Sequence, residues 1–250
     1  VKHTTPTDYL IKVLKSEDRS TAVSKNGGHM EKHIEGWKVL VSDRLLQNEQ
    51  KATERALELL TQQLQETARV VPADAVTELR KVPLWFSPAY PGVKQRAEYH
   101  PGADWLRRNK RDPAMAKSVE FTNISIFERE TRRMPNFALH ELAHAYHDRV
   151  LPGGFGNKAI RSAFQHADKE GLYERVEQRF GDGRSANVRA YAITNPMEYF
   201  AECSEAFFST NDFFPFTRTQ LENHDPRMFE LLTALWTRSE DEQAAAADRN

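Results

Sequence analysis

The sequence predicts an α+β fold: a first half of strands and helices around a small mixed sheet, and a mostly α-helical second half. Three observations carry this. Apolar residues alternate at Trp37, Val39 and Val41, and again near Val119, Phe121, Ile124 and Ile126, which is the period of half-buried strands. Between them, Leu46, Leu57, Leu60, Leu64 and Ala68 fall at helical spacing. Beyond residue 134, apolar runs opened by Asn or Pro and closed by Gly follow one another with little strand character.

Residues 1–33 are polar and broken, with one or two helical turns expected in TDYLIKVLK, and are read as an N-terminal extension. IEGWKVLVS (34–42) is a strand. A helix runs from Asp43 to about Val71, with Ser42 or Asp43 as N-cap and Pro72 as its stop. VPLWFS (82–87) is a second strand, PAYPG a loop, and AEYHPGADWLRRNKRDP irregular with a possible turn of helix. KSVEFTNISIFERE (117–130) is a strand or hairpin. Pro135 opens a helix to about Val150, stopped by PGGFG. Helices at 158–178, 195–209 and 225–239 complete the chain, the second with Asn195 as cap and Pro196 at its first position. An alanine-rich tail (241–250) frays.

Composition narrows the function classes. The chain has 250 residues, 39% hydrophobic and 28% charged, as in an ordinary globular protein. A formal net charge of −1 argues against a nucleic-acid partner, which needs a clustered basic excess. No apolar run approaches the roughly 20 residues of a membrane span. The single cysteine, Cys203, excludes an intrachain disulfide framework. The chain opens on Val1; a removed signal peptide or trimming explains that equally well, leaving both a secreted or periplasmic and a cytoplasmic location open.

The chemistry concentrates in HELAHAYH (140–147). His140 and His144 lie one turn apart on one helix face, so both imidazoles can reach one Zn²⁺ at roughly 2.0–2.1 Å. Glu141 lies about 100° round the helix, beside the place of a metal-bound water. Leu139, Ala143, Tyr146 and Val150 form the face that anchors this helix. The competing reading is a polar surface helix rich in histidine. His147 shares the face of the pair, and is read as a partly exposed helix histidine rather than a ligand.

A catalytic zinc takes three protein ligands and keeps one open position, so a third ligand is expected downstream. In NPMEYFAECSE, Glu198, Glu202 and Glu205 form a narrow stripe on a helix otherwise apolar; such carboxylates are costly to bury unless paired or bound to metal. A solvated stripe is the alternative. Cys203 points away from the metal and is a small buried thiol.

HELAHAYH followed by YAITNPMEYFAECSEAFF resembles the zinc peptidases of the lethal-factor and Mlc titration factor A group, gluzincins whose third ligand is a glutamate. The resemblance is close over 191–208, extends to FFPFTRTQLENHDPRMFELLTALW, is looser over 82–150, and fades before residue 80. A long insertion fits that group, with Glu198 standing 54 residues after His144. The resemblance implies a zincin-like metallopeptidase fold with the active helix between two lobes: one domain over 34–240, divided into an α/β lobe (34–133) and a helical lobe (134–240). It implies His140, His144 and Glu198 as ligands of one Zn²⁺, Glu141 as general base, and Tyr191 facing the metal. Glu202 is then the partner that accepts a hydrogen bond from a ligand histidine's other nitrogen.

A peptide or protein substrate follows, laid along an edge strand above the metal, for which SVEFTNISIF (118–127) is the natural candidate if it is not interior. The alternative function is a zinc-stabilised regulatory protein that binds a protein partner and cleaves little, since titration factor A is known for binding a repressor. A toxin-like effector rests on analogy alone.

Overall fold

The computed structural model describes residues 28–237. The turns expected in TDYLIKVLK and the tail 241–250 lie outside these residues. Strands β1 (His29–Ile34) and β2 (Trp37–Ser42) form an antiparallel hairpin. Its turn residues Glu35 and Gly36 both have positive φ, 51° and 89°, the combination whose twist matches that of the flanking strands. A Cβ on Gly36 would also sit 2.7 Å from Arg80 Nε, so a larger residue there would push that side chain off the Glu35 carbonyl to which it donates. β1 occupies residues whose polar composition reads as extension; pairing with β2 makes them a strand.

With β3 (Leu84–Phe86), β4 (Ala97–His100) and β5 (Ser118–Phe121), the hairpin builds a five-stranded sheet of order β1-β2-β3-β5-β4. The pairs β2–β3 and β3–β5 are parallel, and the outer strands β1 and β4 run antiparallel to their neighbours. Strand alternation splits the two faces. Val39, Val41, Leu84, Phe86, Val119 and Phe121 join the main core, while Leu40 and Trp85 pack with Leu106 and Met115 on the other side. Leu106 comes from α4 (Ala103–Arg108). That second face also buries Glu120, which accepts from Tyr90 Oη at 2.7 Å and Arg111 at 3.0 Å and lies 2.9 Å from His100 Nε2. A buried carboxylate so surrounded is satisfied rather than orphaned.

Besides AEYH, expected to be irregular and found as β4, three expectations need correction. The single helix from 43 to 71 is two, α1 (Asp43–Asn48) and α2 (Gln50–Val70), with Glu49 out of helical geometry between them. Residues 47–51 contain no apolar side chain, so no core contact holds that turn in line. Pro72 ends α2 and caps a further helix, α3 (Ala73–Leu79). The strand expected over 117–130 stops at Phe121; Ile124–Ile126 form a 3₁₀ turn leading into α5 (Phe127–Arg133), whose apolar spacing imitates alternation. Lastly, the helix expected over 158–178 ends at Lys169. Gly171 adopts φ 66° just after it, and a hairpin of β6 (Val176–Arg179) and β7 (Ser185–Val188) follows.

The second half otherwise follows its caps: α6 (Phe137–Arg149), α7 (Lys158–Lys169), α8 (Pro196–Phe208), α9 (Arg218–His224) and α10 (Pro226–Trp236). Side chains of Asn136, Asn157, Asn195 and Asp225 accept from the first free N–H groups of α6, α7, α8 and α10. Trp236 wedges behind the two central helices. Its ring stacks on Tyr146 of α6 at 4.1 Å and on Phe200 of α8 at 5.8 Å, and its Nε1 donates to Ser204 Oγ at 3.1 Å. Among the described residues, no helix is long and apolar enough to cross a membrane.

Candidate metal centre

α6 is buried nearly all round: Leu139, His140, Leu142, Ala143, His144, Ala145, Tyr146 and His147 are all buried, and Val150 just beyond it is half-buried. Its first turn is held from α2, where Gln63 Oε1 accepts from Ala138 N–H at 2.9 Å and the Gln63 carbonyl accepts from Asn136 Nδ2 at 3.0 Å. A helix so enclosed cannot be the decorated surface helix that its histidines alone allow. His140 and His144 stand edge to face, their ring centres 4.9 Å apart.

α8 brings the carboxylates. Asn195 Oδ1 accepts from both Met197 and Glu198 N–H, and Pro196 fills the first position, where no donor is needed. Asn195→Ala is expected to cost about 1 kcal/mol, within the ~0.5–2 range for lost caps. A thermal melt unchanged to within a degree in that variant would show the cap to be idle.

Glu198, in the first turn of α8, meets both histidines. Its Oε2 lies 3.3 Å from His140 Nε2 and 3.2 Å from His144 Nε2. Tyr191, half-exposed in the 3₁₀ turn Tyr191–Thr194, donates its hydroxyl to Glu198 Oε1 at 3.4 Å. The other nitrogen of His140, Nδ1, faces Glu202 Oε1 at 3.6 Å and Glu205 Oε2 at 3.4 Å. Both glutamates are buried, so the stripe is not solvated. Glu202 is tied by Asn211 Nδ2 at 3.0 Å. The expected outer partner of a histidine is Glu202; Glu205, one turn further on, approaches the same nitrogen more closely. The stripe signals Glu205, but spacing does not say which member reaches Nδ1.

The electrostatics follow from these distances. Burial works against a proton on His140, yet Glu198 and Glu205 outweigh it and raise the imidazole well above its usual range. Burial pushes Glu198 up, but the two histidines reverse this and hold its carboxyl far below normal. Burial raises Glu202 and Glu205, which also repel each other's charge and that of Asp212. Burial also pushes the Tyr191 phenol up to about 12, so at neutral pH it is a donor.

His140, His144 and Glu198 each offer one ligand atom, all within 4.8 Å of one another. Two ligands at ~2.0–2.1 Å from a tetrahedral zinc are roughly 3.3–3.4 Å apart, close to the two N–O separations found here. A carboxylate-rich, buried pocket with two imidazoles also favours a cation over three neutral groups. The donor set therefore fits Zn²⁺, with Nε2 of each histidine and Glu198 Oε2 as the atoms that would hold it.

His147 is buried rather than partly exposed, packed edge-on to Phe155 at 5.1 Å and against Phe200 at 5.0 Å. Burial, then the charge of His144, lowers it to about 4, so it is a neutral core side chain. It belongs to neither metal-capable group among the described residues. Cys203 is buried as expected, 3.6 Å from Tyr173 Oη.

Of the two readings left open for SVEF, edge and interior, the interior one holds. β5 lies between β3 and β4, and β4, at the sheet edge, meets α6 through Tyr99 and Glu141. Thr122 N–H donates to Arg96 O, so in the antiparallel register the backbones of Glu98 and His100 turn toward β5 and those of Ala97 and Tyr99 turn outward. Tyr99 N–H accordingly donates to Glu141 Oε2 at 2.8 Å.

No family model and no curated protein matches this sequence. Among solved structures, the PRO-PRO endopeptidase (PPEP-2) from Paenibacillus alvei is similar at a TM-score of 0.41 and 16% identity, over 73% of this chain and 90% of that one.

Proposed function

We propose that this chain is a zinc-dependent peptidase that hydrolyses peptide bonds with Glu141 as general base. The observation that supports it most is the convergence of His140 Nε2, His144 Nε2 and one oxygen of Glu198 at the spacing of zinc ligands. Its resemblance to gluzincins agrees in motif and order. Zinc held there would lower the pKa of a coordinated water to ~7 and polarise the scissile carbonyl.

The protein's own groups supply the rest. Glu141 offers one carboxylate oxygen to take a proton from water and deliver it to the leaving amine, while its other oxygen is engaged by Tyr99 N–H. The Tyr191 hydroxyl, already directed at Glu198, donates to the oxyanion that develops on the carbonyl. Glu202 and Glu205 set negative charge beside His140 Nδ1, at 3.6 and 3.4 Å, which favours a proton on that nitrogen and leaves Nε2 free for the metal. An extended peptide pairs with the outward backbone of β4 beside Glu141.

The test is metal content and cleavage together. The zinc-loaded protein is expected to carry one Zn²⁺ per chain, and Glu198→Ala to lose it at least ten-fold more readily to a chelator. A peptide library is expected to show cleavage that chelator abolishes and zinc restores. Zinc bound at full occupancy with no peptide cleaved would replace this reading with a partner-binding zinc protein.

A further inference from the structure

One residue joins the edge strand to the helix of the metal centre. Tyr99, buried in β4, donates its backbone N–H to Glu141 Oε2 at 2.8 Å and its phenol O–H to Asp148 Oδ2 at 2.7 Å. Glu141 and Asp148 lie two turns apart on one face of α6, so Tyr99 spans the helix lengthwise. Asp148 is itself held by Lys117 Nζ at 2.6 Å, from the residue before β5. The Tyr99 ring meets Phe155 edge-on at 6.4 Å. Phe155 lies in the 3₁₀ turn Gly154–Gly156, which is pressed against α6: a Cβ on Gly154 would stand 2.9 Å from the Asp148 carbonyl. The far end of the clamp is thus fixed from several sides, and the near end lands on Glu141.

An outward N–H on an edge strand normally waits for a neighbouring strand or water. Here it is taken by a side chain with several rotatable bonds, whose other oxygen must point at one place. We propose that Tyr99 is a positioning residue: its two bonds to α6 hold the Glu141 carboxylate in register with the strand along which the substrate lies. This rests on the peptidase reading of the site. One consequence is that a substrate carbonyl cannot use Tyr99 N–H and accepts instead from Ala97 N–H, while substrate N–H groups donate to the carbonyls of Ala97 and Tyr99.

Two measurements test this on the full-length, zinc-loaded chain. The first needs no turnover: hydrogen exchange at the Tyr99 amide is expected to be protected, and to accelerate at least ten-fold in Glu141→Ala while amides of β5 stay unchanged. Equal exchange in the two proteins overturns the clamp. The second uses a peptide that the wild-type enzyme cleaves. Tyr99→Phe keeps the amide and the ring, and is expected to lower kcat about ten-fold with KM and zinc content unchanged, in the range seen for outer-shell partners. Asp148→Ala should do the same, the double variant no more, and Asp148→Asn, whose amide oxygen still accepts, should recover most of the loss. An unaltered kcat in Tyr99→Phe, or losses that multiply in the double variant, overturns the proposal. A chain that cleaves no peptide defeats the peptidase reading alone, because exchange at Tyr99 still judges the clamp.

Discussion

Glu141→Gln is expected to leave zinc bound and to lower kcat by roughly 10²–10⁴, the range for removal of a general base. The substitution is isosteric, and its amide oxygen can still accept from Tyr99 N–H, which Glu141 Oε2 now does at 2.8 Å. What it loses is the ability to take a proton. None of the atoms that fit the metal belongs to residue 141, so zinc stoichiometry should match the wild type. Steady-state cleavage and metal analysis on one preparation decide the matter: near-wild-type turnover with zinc in place would remove Glu141 from the mechanism.

Trp236→Ala is expected to destabilise the fold by about 3–5 kcal/mol, the usual cost of deleting a buried large aromatic. Trp236 is the plate against which α6 and α8 both rest, through Tyr146, Phe200 and Phe208, and its indole N–H satisfies buried Ser204. For a chain of this size that corresponds to a Tm lower by roughly 6–20 °C. Because the helices carrying His140, His144 and Glu198 both lean on the same ring, the zinc-loaded variant is also expected to release its metal at a lower urea concentration than the wild type does. A loss below about 1 kcal/mol in urea unfolding would mean that the two helices are held apart from this stack.

Much of the candidate site is legible in the sequence because its signals are local. Two histidines four apart share a helix face wherever that helix lies, and Asn195–Pro196 announces the start of the helix carrying Glu198. The glutamate stripe stands out because three carboxylates on an apolar helix are hard to bury without partners. That α6 is enclosed rather than displayed cannot be read the same way. Its polar residues leave both options open, and only the packing of α2, β4 and α8 around it shows His147 to be core.

The elements that the sequence does not announce share one cause. β4, AEYH, has too few apolar residues to show a period, and is a strand because β5 supplies hydrogen-bond partners. SVEF lies in the interior and not at the edge for the same cause: strand order is a relation between distant segments. Glu205 outreaches Glu202 at His140 Nδ1 through a helix–helix approach that spacing along α8 does not encode. The sequence alone establishes helix faces, caps and the inventory of ligand-type side chains, because these depend on neighbours within a turn or two. Which strand borders the centre, which carboxylate meets which nitrogen, and that Tyr99 bonds to both Glu141 and Asp148 come from tertiary contacts, because each requires segments dozens of residues apart to arrive at hydrogen-bond distance.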